Sequence, residues 1–290
     1  MKSIALVLLL FLPFMTDAQK GKRKVSFAKG TIYGYWGYNR SGYTKSNMHF
    51  VGPGYDFTMK GAKAHDNPEK FDAAVYFHPK KVTIPQFNAR IGYYFKDNWS
   101  ISVGYDHMKY LFADKNEVFL SGSIDSGVDT MNNWEGTYNS KPITTDRSTF
   151  HYENSDGLNY LRFEITRTDQ WWKTGNKDWF AFSTKVGLSA GGILSFNDFR
   201  FGTDFEDVRT ISLSGYGLSG HLGLRFEFFR HLFIQSNLGA GFHHQVKVNN
   251  RPNDPSAYTR HAYGYCDANV VIGFLVYLRG KNACDSCPTW

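Results

Sequence analysis

The feature that most constrains this chain is an alternation of period two that recurs along most of its length, with no long apolar helix to compete with it. In one run Tyr216, Leu218, Gly220, Leu222, Leu224, Phe226 and Phe228 alternate with Gly217, Ser219, His221, Gly223, Arg225 and Glu227. Successive side chains of a strand point to opposite faces, so this is a strand with one apolar and one polar face. The next run sets Leu232, Ile234, Leu238, Ala240 and Phe242 against Gln235, Asn237, Gly239, Gly241 and His243. The last sets Ala268, Val270, Ile272, Phe274, Val276 and Leu278 against Asp267, Asn269 and Gly273. Residues 87–95, 99–103, 161–165 and 180–188 repeat the pattern. Aromatic residues at 17% and 28 glycines agree with strands and disfavour helices.

Alternation does not say which face points out, because a soluble barrel buries its apolar face and a membrane barrel shows it to lipid. Three observations decide for lipid. The polar face is rich in Gly, Ser and Asn with charges of both signs, which suits a crowded lumen. Tyr93, Phe95, Trp99, Trp171, Trp172, Trp179, Phe228, Phe229 and Phe233 gather beside short turns at 96–98, 174–176 and 230–231, as an interfacial girdle requires. Those turns are interleaved with long links at 113–156, 196–209 and 249–261, the asymmetry of short periplasmic turns and long outer loops. The expected fold is therefore all-β, a transmembrane antiparallel up-and-down β-barrel. Residues 31–43 and 50–60 are also strand-like, giving nine runs where closure with both ends periplasmic needs an even number. Either 50–60 belongs to a loop, giving eight strands, or 71–78 forms a tenth that turns at Pro79-Lys80; ten is favoured.

The first residues fix the expected compartment. Lys2 supplies a positive start, residues 4–15 are almost wholly apolar, and Thr16-Asp17-Ala18 places small residues at the cleavage positions of a secretory signal peptide. The expected organisation is a signal peptide over 1–18, a barrel over 19–279 and a periplasmic tail over 280–290. The net charge of +7 suits an anionic partner such as lipopolysaccharide, although ordinary solubility explains it as well. Cys284 and Cys287 could close a small disulfide, and Cys266 is left unpaired. Secretion makes a nucleic-acid partner implausible.

The signal peptide ending Asp17-Ala18-Gln19, the strand text from Ile91 to Tyr105 and the terminal amphipathic strand together resemble small outer-membrane β-barrel proteins of the Bacteroidetes type. The resemblance implies an outer-membrane location, lipid and the barrel assembly machinery as partners, and no particular activity. Such barrels usually end on an aromatic residue in the last strand, whereas here a tail follows Leu278.

Residues with chemical potential fall into two groups. Arg90, Asp106, Arg162, Glu164, Lys185, His221, Arg225 and Glu227 lie on the polar faces. Buried charges must pair, and a barrel of about eight strands is just filled by its own side chains, so a salt-bridged plug is expected before a water-filled pore. Asp106 could pair with Arg90 or Arg162. His151, Glu153 and Ser155 bring a base, an acid and a nucleophile to the expected outer rim, which loosely resembles outer-membrane lipid hydrolases. Four residues of strand would hold His151 and Ser155 about 13 Å apart, so a polar rim is the better reading. His243 and His244 would point to opposite faces and could not share a metal. No phosphate-cradling loop and no zinc spacing is found, so neither cofactor nor metal is expected. The chain reads as a non-enzymatic structural or surface-interaction barrel, with a narrow pore or a lipid-modifying hydrolase as alternatives. Mass spectrometry of the exported protein should find Gln19 at its N-terminus; a chain that retains Met1 would contradict the leader.

Overall fold

The computed structural model describes residues 29–278 apart from 69, 71, 77, 79–84, 175–178 and 203–208. The expected signal peptide, the tail, Cys284, Cys287, Gly175-Asn176 and the Pro79-Lys80 turn lie outside the described residues. The elements in chain order are β1 (Thr31–Tyr43), β2 (Ser46–Gly52), β3 (Tyr55–Ala62), β4 (Ala64–His65), a helical turn α1 (Ala73–Tyr76), β5 (Phe87–Lys96), β6 (Trp99–Phe112), β7 (Glu117–Ile124), β8 (Gly136–Thr144), β9 (His151–Lys173), β10 (Phe180–Arg200), β11 (Thr210–Phe228), β12 (Leu232–Arg251) and β13 (Asp254–Tyr277).

Eight of these strands close a ring in chain order, β1-β5-β6-β9-β10-β11-β12-β13, every pair antiparallel, with β13 returning to β1. Closure leaves no ring strand with an unpaired edge, as lipid demands of a spanning sheet. The ladder also climbs. A walk from Ile32 through Tyr93, Ile101, Ile165, Leu188, Gly220, Ala240 and Cys266 returns to β1 at Gly42, nearer the long-loop end. The strands are therefore tilted, and successive neighbours stand progressively higher.

The two faces are sorted as the alternation predicts. Ile91 and Phe163 are each 71% exposed on the outer wall, whereas Arg225 is fully buried inside and Lys185 is 1% exposed. A wall that is apolar outside and polar inside is the inverse of a water-soluble barrel, and it defines a transmembrane β-barrel. Trp171, Trp172, Trp179 and Phe229 are exposed at the short-turn end, level with an interfacial girdle. The ends of the wall meet there too: Leu278 donates its amide to Gly30 O at 2.9 Å, and Lys29 donates to Asp97 Oδ1 at 2.7 Å.

Several expectations are corrected. The ring has eight strands and not ten. Residues 50–60 form no spanning strand, because Gly52-Pro53-Gly54, with Gly54 at φ 74°, folds the segment into the β2–β3 hairpin. Its strands of 7 and 8 residues are too short to cross, where about 9–11 are needed. Within 71–78 the described backbone makes the α1 turn. Of the link at 196–209, residues 196–200 belong to β10, and the link at 249–261 is largely strand, with β12 turning into β13 through Pro252-Asn253. Phe233 is not in the girdle; it is fully buried in the lumen.

Outside the spanning wall the sheet grows sideways. Where β1 departs, β2 takes its place beside β13, pairing Phe50 with Thr259, and β3, β7 and β8 follow in order. One face of this extension carries Met48, Phe50, Phe57, Met59, Val118 and Leu120, which pack with Tyr152, Phe150, Phe201 and Trp134 into one apolar core. That core lies over the barrel mouth. Arginine in place of Leu222 or Ile234 should cost roughly 2–4 kcal/mol in urea unfolding from lipid vesicles if these positions face the bilayer interior. Asn139→Arg, on the exposed strand β8, should leave stability unchanged; equal costs at all three would contradict a lipid-facing position for Leu222 and Ile234.

Candidate functional site

The lumen holds most of the buried charged side chains of the described residues. Their spacing follows from one recurrent device, a glycine across the rung from a large side chain. Arg90 is paired with Gly104, Tyr33 with Gly92, His221 with Gly187 and Phe233 with Gly273. A Cβ on Gly104 would sit 1.9 Å from Arg90 Nη1, and one on Gly187 would sit 2.3 Å from the His221 ring. The glycines of the polar face are therefore beds on which long neighbours lie flat across the interior.

Laid down in this way, the charges meet at mid-height. Arg90 grips Asp106 with both terminal nitrogens, at 2.7 and 2.9 Å, and Asn88 donates to the same carboxylate at 2.5 Å. Arg162 Nε stands 3.0 Å from the other oxygen of Asp106, and Arg162 Nη1 donates to Ser219 at 2.9 Å and Ser189 at 3.3 Å. Glu164 lies 3.5 Å from Arg90, 3.7 Å from Arg162 and 3.4 Å from His221, and accepts from Thr166 at 2.9 Å. The expected pairing of Asp106 is thus realised with both arginines at once. Nearer the short turns Arg225 donates to Gln235 at 2.8 Å and to Tyr94 at 3.2 Å, with its guanidinium 4.1 Å from the Phe233 ring centre. Lys185 lies over Tyr33 at 5.2 Å and Tyr35 at 5.8 Å, and Glu227 is 4.0 Å from Arg225. All eight expected lumen residues are buried.

Above the ionic layer come His243, between Tyr160, Tyr263 and Tyr265, and then a polar relay in which His261 meets Gln245 at 2.5 Å and Gln245 donates to Ser195 at 2.6 Å. The apolar core closes the column, with Phe50 stacked on Phe57 at 5.2 Å and crossing Phe150 at 5.4 Å. His243 and His244 do face opposite ways: His243 is fully buried, and His244 meets Tyr216 OH on the outer wall at 3.1 Å. Among the described residues no group of three metal-ligating side chains converges.

The rim residues take separate partners. His151, Glu153 and Ser155 occupy alternate positions of β9, and Ser155 donates to Glu153 at 2.9 Å. Glu153 also pairs with Arg147. His151 instead meets Asp198 of β10 at 3.2 Å, and this bond holds the Asp198 carboxyl below the usual carboxylate range. The strand brings Ser155 to Glu153 and His151 to Asp198, with no hydrogen bond between His151 and Ser155. Sequence reading missed the lumen aromatics Tyr33, Tyr35, Tyr94 and Phe233, and the whole outer core. The signal for the core was present as short alternating runs around Gly52-Pro53-Gly54.

No protein-family profile matches this chain, and no curated protein sequence matches it. Among solved structures it is similar to the outer membrane protein OprG from Pseudomonas aeruginosa, at 10% identity over 87% of this chain and 99% of that one, with a TM-score of 0.37. The outer membrane protein AlkL, solved in lipid bilayers, gives 9% identity over 93% of this chain and 100% of that one, with a TM-score of 0.39. Neisserial surface protein A gives 7% over 85% and 97%, with a TM-score of 0.35. The class of this protein, an eight-stranded transmembrane β-barrel, rests on its own ring and faces. Removing one member of the ionic layer leaves its partners buried and unmatched. Asp106→Ala should therefore lower unfolding free energy by about 3–5 kcal/mol, whereas Ser155→Ala should change it by less than about 0.5 kcal/mol; similar effects for the two would contradict the layer.

Proposed function

We propose that the protein is an outer-membrane barrel of structural or surface-interacting role whose lumen passes no solute. The observation that carries this reading is the double closure of the interior: a paired ionic layer at mid-height and an aromatic core over the mouth. A conducting pore needs a continuous wet path, and here arginines lie across the bore on glycine beds while Phe50, Phe57 and Phe150 pack above them. In this reading the short turns face the periplasm and β2, β3, β7 and β8 stand outside the cell as a rigid platform. Outer-membrane lipid is its surroundings, and the barrel assembly machinery inserts it. The platform has its own apolar core, which suits presentation of a fixed surface better than a mobile gate.

Reconstitution into planar bilayers tests this directly. The wild-type barrel should show no stable single-channel conductance, and Arg90→Gly with Arg162→Gly should still show little, because the aromatic core remains. Steady conductance by the wild type would overturn the closed-lumen reading and establish the pore.

A further inference from the structure

The lipid-facing belt is not level around the barrel. On β9 its last exposed apolar side chain is Leu161, and the next outward residue, Asn159, is fully buried. Leu161 pairs with Gly192, and Gly192 with Tyr216. Yet on β11 apolar exposure continues past Tyr216 to Leu213, 77% exposed, and Ile211, 62% exposed. The burial of Asn159 reflects protein cover, since it hydrogen-bonds His107 at 2.7 Å. Strand length places Leu213 and Ile211: from Phe228 at the short-turn end β11 runs about 40 Å of tilted strand to Ile211, beyond an apolar band of about 25 Å. Val246 of β12 is exposed beside them. Exposed leucine and isoleucine above the hydrocarbon level call for an amphiphilic neighbour.

Cations share this ledge. The register between β12 and β13 breaks between Gln245 and Val248, and Val246 and Lys247 are both exposed at that bulge. Lys247 lies over the Tyr258 ring at 5.4 Å. Arg260, also exposed, donates to His49 Nδ1 at 2.9 Å, and His49 in turn holds Asp56 at 2.6 Å. Neither Lys247 nor Arg260 makes an ion pair among the described residues. The ledge thus combines cations that no carboxylate contacts directly, an aromatic face and bare aliphatic side chains, continuous with the wall that meets acyl chains.

We propose that this ledge across β11, β12 and β13 binds a phosphorylated glycolipid of the outer leaflet. Lys247 and Arg260 meet its phosphate groups, Tyr258 meets a sugar face, and Leu213, Ile211 and Val246 cover the chain beneath. The placement rests on the proposed orientation, in which the long-loop end is outside. A phospholipid headgroup alone would sit lower, at the level of Tyr216, so the height of the cations favours the taller, sugar-bearing lipid.

The test uses the full-length barrel in phosphatidylcholine nanodiscs doped with diphosphoryl lipid A, with retained lipid counted by native mass spectrometry. The wild type should retain it, and Lys247→Glu with Arg260→Glu should weaken retention by roughly tenfold or more while heat-modifiable migration shows an intact barrel. Leu213→Asn, which keeps both cations, should weaken it less. Equal retention by wild type and the charge-reversal variant would overturn the proposal, as would displacement of the lipid by millimolar inorganic phosphate, which would mark a site for free phosphate. A second arm reads orientation separately. Asn139→Cys, with Cys266, Cys284 and Cys287 changed to Ser, is labelled with an impermeant maleimide. Labelling in intact cells supports the outer placement of the ledge. Labelling only after lysis would overturn both the orientation and the glycolipid assignment, whereas surface labelling with no lipid retention would overturn the ledge alone.

Discussion

The structure depends on a contact between unequal partners, a long charged side chain lying flat on a glycine of the next strand. Eight tilted strands enclose a bore only about as wide as the side chains that fill it. Where two large residues do face each other across a rung, as Tyr35 faces Arg90, a glycine on the next strand, here Gly104, gives the room. Arg90 on Gly104, His221 on Gly187 and Phe233 on Gly273 settle this rung by rung. The same device lets Arg90 and Arg162 reach Asp106 from different strands, so burial of four charges is matched by pairing. In a medium that cannot solvate an isolated ion, that match is the condition for the wall to close at all.

Much of this was legible in the sequence, because lipid on one side and a packed bore on the other enforce a strict period of two. The run from Tyr216 to Phe228 and the run from Leu232 to Phe242 have the faces that alternation assigns, and the lumen charges are those on the polar face. The girdle at Trp171, Trp172 and Trp179 was readable for the same reason. What alternation does not encode is partner identity across the sheet. The rule that glycines serve as beds needs the register, so Tyr33, Tyr94 and Phe233, aromatic by type and near the turns, could as easily have pointed to lipid.

The outer part was less legible because its chemistry resembles that of a soluble protein. Once the strands leave the bilayer, one face packs on Phe50 and Tyr152 and the other meets water, so the sense of in and out reverses. Residues 50–60 alternate as a spanning strand does, and only Gly52-Pro53-Gly54 distinguishes a hairpin. The even number of strands required by closure was correct, but residue counting filled it with 71–78 where the chain instead omits β2 and β3 from the ring. At the rim, His151 and Ser155 read as neighbours in sequence, and strand geometry gives them different partners, Asp198 and Glu153.

The packing account is tested most directly by transposing one rung. Unfolding free energies in lipid would be measured for His221→Gly, Gly187→His and the double variant that exchanges the two residues. His221→Gly leaves a void and removes the imidazole beside Glu164, and Gly187→His sets two imidazoles against each other. The double variant restores one imidazole on one glycine at the same level of the bore, and the next residue across the sheet from position 187, Thr166, is small. It should be more stable than either single variant and recover most of the wild-type value. A double variant whose loss equals the sum of the two single losses would contradict the claim that a large side chain set against a glycine holds this barrel closed.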